Sequence, residues 1–167
     1  MRVAIIVREN LTVTETLKKQ LKEIVTNLVV DAFATNFLFN GIGEFDTACY
    51  EIVTNLKKVF PELQREFYTP NREFNGNEVE YYLTLYEKIN LTNKSGGISY
   101  DMRDQVMVDK CDILVTYCDL DREQSAKWTS STARTIAYAW KEKKRIVNLF
   151  EYKNFENSRF LCLPTYW

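Results

Sequence analysis

Residues 37–60 read FLFNGIGEFDTACYEIVTNLKKVF, and the pattern changes twice along them. Phe37, Leu38 and Phe39 form a short apolar run, as expected of a strand buried on both faces. Asn40-Gly41-Ile42-Gly43 breaks it, because glycine reaches backbone angles closed to other residues. Phe45, Ala48, Cys49, Ile52, Val53, Leu56, Val59 and Phe60 then recur at helical spacing. Asp46 is expected to cap this helix and Pro61 to end it, with Lys57 and Lys58 in the last turn. Strand, glycine turn and amphipathic helix form part of a parallel βαβ unit. In such folds the turn lies at the carboxyl end of a strand, where ligands bind.

Working outward, residues 2–7 (RVAIIV) are nearly all apolar and read as another buried strand. Thr12-Val13-Thr14-Glu15 has capping-box form, and Leu17, Leu21, Ile24, Val25 and Leu28 share one face of a helix reaching about Asp31. Downstream, a strand near residues 65–69 ends at Pro70. Val79, Tyr82, Leu83, Tyr86 and Ile89 mark an amphipathic helix, and residues 100–110 a short one burying Val106 and Met107. Residues 113–117 (ILVTY) are a fourth strand, followed by a polar loop over 118–128. Thr129, Ser130 and Ser131 offer N-caps to a helix with Ala133, Ile136, Ala137 and Trp140 on one face, and residues 146–150 are a fifth strand.

This alternation predicts an α/β fold: a Rossmann-like, doubly wound, mostly parallel five-stranded sheet with helices on both faces. The expected order is roughly 3-2-1-4-5, with the switch point between the first and fourth strands. Residues 1–150 read as one domain. The aromatic tail, 151–167, reads as its C-terminal extension, adding an edge strand or a contact with another subunit.

The composition excludes several classes. Net charge is −1, from 22 basic and 23 acidic residues well mixed along the chain, which disfavours nucleic acid as a partner. No run approaches the ~18 apolar residues of a membrane span, and no leader is read, so the expected location is the cytoplasm of a cell or of an infected host cell. The four cysteines lack metal-ligand spacing and read as buried thiols. There is no histidine, which removes histidine triads, histidine metal sites and the usual base near neutral pH. Neither a metal nor a cofactor is expected.

Three loops gather at the predicted switch point, after Val7, Phe39 and Tyr117. In the second, Glu44 and Asp46 repel a phosphate but suit ribose hydroxyls; the plainer reading is a capped turn. Thr129 to Thr132 combine hydroxyls with a helix start and make a plausible phosphate cradle, although capping alone needs one of them. Arg103 is placed to pair with a phosphate, or else with Asp101 or Asp104; Arg8 has the same two readings. Asp119, Asp121 and Glu123 form a loose acidic cluster without the features of a calcium loop, and a solvated loop is preferred. Tyr100, Tyr117 and Trp128 lie near the cleft, where a ring can stack on a base.

With these motifs in place, the chain resembles the SLOG superfamily, the Rossmann-like group that includes YspA/YpsA-type (DUF1273-like) proteins, the cytokinin-activating LOG enzymes and the DNA-processing protein DprA. FLFNGIGEFDTACYEIVTNLKKVFPEL is similar to that group's strand, glycine turn and helix. MRDQVMVDKCDILVTY and TSSTARTIAYAWKEKKRIVNLF are similar to its later helix, strand, turn and helix. The resemblance implies a nucleotide-derived ligand and a homo-oligomer, dimer or higher. It places Gly41, Gly43, Asp46, Arg103, Ser130, Ser131 and Thr132 at the site, beside Arg8, Glu44 and Tyr117 from the residues themselves.

Two departures bear on catalysis. The PGG-x-GT-x-x-E signature of LOG enzymes is absent. The nucleoside deoxyribosyltransferases, a related fold, carry a nucleophilic Glu where this chain has Thr135, and a Thr cannot serve as that carboxylate. The expected function is therefore non-catalytic binding of a nucleotide-derived molecule (ADP-ribose, cyclic ADP-ribose or a cyclic nucleotide), as a sensor or as a sponge sequestering an immune signal, including in viral anti-defence. The alternatives are an N-glycosidic or phosphoribosyl hydrolase or transferase, with Glu44 or Asp46 replacing the missing acid, and DprA-like binding of single-stranded DNA.

Overall fold

The structure, a computed structural model, describes residues 1–70, 76–92, 99–125 and 129–151. Its elements run β1 (Arg2–Ile5), α1 (Glu15–Val30), β2 (Asn36–Phe39), α2 (Gly43–Leu56), β3 (Gln64–Pro70), α3 (Gly76–Leu85), β4 (Lys88–Thr92), α4 (Ser99–Lys110), β5 (Ile113–Thr116), α5 (Leu120–Ser125), α6 (Ser131–Lys141) and β6 (Arg145–Asn148). The strands form one sheet in the order β4-β3-β2-β1-β5-β6. Every pairing is parallel. The chain therefore winds outward in both directions from β1, and the switch point lies between β1 and β5.

Two cores result, one on each face of the sheet. Val3, Ile5, Phe37, Phe39, Ile113 and Val115 point towards α1 and α2, where they meet Leu21, Val25, Phe45 and Val53. Ala4, Ile6, Leu38 and Leu114 point the other way and meet Met107 and Val108 of α4 and Ile136 of α6. Alternate residues thus serve opposite cores, which is why β1 from Val3 on and β5 up to Val115 are apolar on both faces.

The sheet has six strands where five are expected. Val79 and Tyr82 do belong to a helix, but α3 ends at Leu85 and the chain turns extended again within three residues. In Lys88-Ile89-Asn90-Leu91-Thr92 apolar and polar residues alternate, and the run pairs with β3 from Glu66↔Lys88 to Pro70↔Thr92. A two-residue period there continues a helical spacing by chance: Ile89 fits both.

Three local expectations also shift. Thr14, not Thr12, caps α1, its Oγ1 accepting from Leu17 N at 3.2 Å. The loop stays extended to that point because Val13 N is tied to Glu44 Oε2 at 3.0 Å. Asp46 does not cap α2; the helix starts at Gly43 after Ile42, which makes no side-chain cap bond. Part of the expected 118–128 loop is helical, as α5. No helix among the described residues is long and apolar enough to cross a membrane. The expected tail, beyond Glu151, and Trp128 lie outside the described residues.

Candidate functional site

The turn after β2 is built from its own side chains. Asn40 Oδ1 accepts from Ile42 N at 3.1 Å, an Asx turn. Asp46 reaches back from the first turn of α2: its two carboxylate oxygens accept from Asn40 N at 3.2 Å and Gly41 N at 3.1 Å. Gly41 has φ +71, and a Cβ there would stand 2.6 Å from the Phe67 ring. Gly43 has φ +82, and its Cβ would stand 2.7 Å from the carbonyl oxygen of Glu9, on backbone that cannot easily yield. The second glycine thus lets the loop after β1 lie directly against the start of α2.

The other loops are tied to one another by charge. Arg8 Nη1 lies 3.7 Å from Glu123 Oε1, and the Ser130 hydroxyl donates to the other oxygen of Glu123. Ser130 Oγ also accepts from Ala133 N at 3.0 Å, so it is the N-cap of α6. Arg134 of α6 pairs with Asp101 of α4 at 2.9 Å. Glu123 and Asp119 are thereby accounted for: one bridges the β1 loop to α6, and the other caps α5 by accepting from Arg122 N at 3.1 Å. No group of three or more metal-ligating side chains occurs among the described residues.

Arg103 is buried, at 4% exposure. Its Nε and Nη2 donate to Asp104 Oδ1 at 2.9 and 2.7 Å, and its guanidinium lies 5.2 Å from the centre of the exposed Tyr100 ring. Its charge also acts on Asp46. Burial pushes the Asp46 carboxyl up to about 7, while the two backbone N–H groups and Arg103 oppose that rise. A carboxyl raised on folding favours the folded state most when protonated. Its contribution is full below about 4 and is lost as pH rises through about 7. Asp46→Asn is expected to flatten that decline when urea stability is measured from pH 4 to 8; an unchanged profile would remove Asp46 as its source.

The candidate residues are thus distributed over two adjoining groups. Gly41, Gly43, Glu44 and Asp46 occupy the α2 turn, with Asp46 buried and the Glu44 carboxylate engaged by Val13. Arg8, Ser130, Ser131 and Thr132 surround the start of α6, Ser131 exposed and Thr132 buried. Tyr117 packs edge-on against Phe150 at 5.4 Å. Thr135 is buried, its hydroxyl donating to Ser131 O at 3.0 Å. Two residues were not among the sequence candidates. Asn40 shapes the turn, and Thr116 ends β5 with a buried hydroxyl that has no partner among the described residues. A polar residue closing an apolar strand was the available signal in both cases.

The sequence of residues 4–153 matches the YspA SLOG family. The chain belongs to that family. No curated protein matches it significantly in sequence. Among solved structures, the structural-genomics target TM1055 is similar over 87% of this chain and 71% of its own, with a TM-score of 0.55 and 14% identity. DNA processing protein A (DprA) from Streptococcus pneumoniae has the same TM-score at 11% identity; the likeness covers 87% of this chain but 48% of DprA. At such identities the likeness is one of fold. It agrees with the parallel sheet and helices described above. In this YspA SLOG chain the glycine turn and the α6 start flank the carboxyl ends of β2, β1 and β5, the crevice where open α/β sheets take their ligands.

Proposed function

We propose that this YspA SLOG chain binds a nucleotide-derived small molecule of the ADP-ribose, cyclic ADP-ribose or cyclic-nucleotide type without turning it over, as a sensor or as a sponge that sequesters an immune signal. The observation that carries the reading is Arg103. A guanidinium at 4% exposure, held by a single carboxylate oxygen, makes no Nη1 hydrogen bond among the described residues. Such a group suits a phosphate. The anionic part of the ligand is assigned to Arg103 and the first turn of α6, where backbone N–H groups lie outside the intrahelical bonds. The ribose is assigned to the Asn40–Gly43 turn. Asp46 shapes that turn rather than touching the ligand.

Arg103→Ala is expected to weaken the complex by about 1.5–3 kcal/mol, the worth of a charged hydrogen bond. Titration calorimetry with ADP-ribose and with cyclic nucleotides checks this, and an unchanged affinity removes Arg103 from the site. A second reading rests on Asp46, whose carboxyl is raised to about 7. A group that titrates near neutrality can serve as a general acid or base in cleaving an N-glycosidic bond. Against it, both oxygens are occupied by backbone N–H groups. Incubation followed by denaturation and mass spectrometry separates the two: intact ligand supports the binder, and a released base supports the enzyme.

A further inference from the structure

A second polar region lies at the other end of the sheet. On the face covered by α4, Arg2, Asn36 and Lys88 open β1, β2 and β4, and Glu66, the third residue of β3, pairs in register with Lys88, so four adjacent strands carry a polar residue there. Interior positions of a parallel sheet are ordinarily apolar. Glu66 is 2% exposed. Its Oε2 accepts from Arg2 Nη2 at 2.9 Å, from the Tyr68 hydroxyl at 3.2 Å and from Asn90 Nδ2 at 3.3 Å, and its Oε1 from Asn36 Nδ2 at 2.9 Å. Four donors converge on one carboxylate, three of them on Oε2.

This network floors a cavity of about 440 Å³ between β4 and α4. Arg2, Tyr68, Lys88, Asn90, Val106 and Lys110 are among its lining residues. Its charge balance is positive: Arg2 is paired with Glu66, and Lys88 and Lys110 remain in excess. Arg2 Nε is buried and has no acceptor among the described residues. Neither Lys88 nor Lys110 makes a hydrogen bond or ion pair among the described residues. The charged groups left to a ligand are therefore all donors, and such a lining selects a ligand that only accepts.

We infer that this cavity is an anion site for a small phosphorylated molecule, separate from the crevice at the carboxyl ends of the strands. The phosphate lies between Lys88 and Lys110 beside the Arg2 side chain, while Val106 and the β4 backbone flank the rest of the molecule. Its volume accommodates more than one bare phosphate, so an organic phosphate fits better than the inorganic ion.

The test uses the full chain, labelled for amide NMR, titrated with inorganic phosphate and then with ribose 5-phosphate. Saturable shifts at Lys88, Asn90, Leu91 and Lys110 are expected, with ribose 5-phosphate the tighter of the two. Lys88→Ala/Lys110→Ala, both at exposed positions, is expected to keep the fold and lower affinity about tenfold or more. Arg2→Lys, which keeps the charge but loses the guanidinium fork, is expected to weaken binding without unfolding. Shifts confined to residues 40–46 and 130–133 would overturn the proposal, and so would saturable shifts that the double variant retains or the absence of any saturable shift.

Discussion

Phe39→Ala is expected to cost about 3–5 kcal/mol of unfolding free energy, the range for truncating a buried aromatic residue. Phe39 is fully buried, at 0% exposure. Its ring stands 5.8 Å from Tyr50 and 6.0 Å from Tyr86, and Tyr86 in turn stacks on Phe67 at 5.0 Å. These rings come from β2, α2 and β3 and from the segment after α3. A cavity at Phe39 therefore removes packing from four parts of the chain, none of which can collapse alone into the space. Phe67 is also the ring that a side chain at Gly41 would strike, so the cluster buttresses the turn from below. Urea unfolding followed by circular dichroism gives the loss; a change under about 1 kcal/mol would mean that the site relaxes to fill the gap. Ligand affinity in the folded fraction is expected to fall as well, because Asn40 begins directly after Phe39.

The sheet was legible in the chain because its signal is local. Apolar runs at β1, β2 and β5, each followed by a helical period, leave few topologies open once crossovers are right-handed. β4 escaped because Tyr82, Tyr86 and Ile89 keep a spacing of about four residues that a helix would also produce; only pairing with β3 decides between the two. The candidate site was legible to a different depth. The glycines of the α2 turn announced themselves, and each meets a close neighbour at positive φ. The role of Asp46 did not. Its identity and position suit a cap, but the carboxylate folds back onto Asn40 and Gly41, and that depends on the shape of a turn no pattern encodes. The links from Arg8 to Glu123 and from Arg134 to Asp101 join residues 115 and 33 apart in sequence, so they exist only once the sheet has brought the loops together.

Arg103 and Asp104 are the opposite case: sequence neighbours whose pairing was among the alternatives, but whose burial was not legible. Both side chains are under a tenth exposed. Burial raises the Asp104 carboxyl above its ordinary range, and the adjacent guanidinium holds it down against that. The two single truncations are therefore unequal. Arg103→Ala leaves a carboxyl that can take up a proton and become neutral, so its stability cost is modest at low pH and grows as pH rises. Asp104→Ala leaves a guanidinium that cannot lose its charge in water-accessible pH. That variant is expected to lose about 3–5 kcal/mol, the cost of stranding one member of a buried pair. Removing both should restore part of the loss, so Arg103→Ala/Asp104→Ala is expected to be more stable than Asp104→Ala alone. Urea midpoints for the four proteins at pH 5 and pH 8 close the cycle. If Asp104→Ala is no worse than Arg103→Ala at pH 5, Arg103 is reaching water or another carboxylate. It would then not be the constrained, half-satisfied cation on which the assignment of a phosphate to this crevice depends.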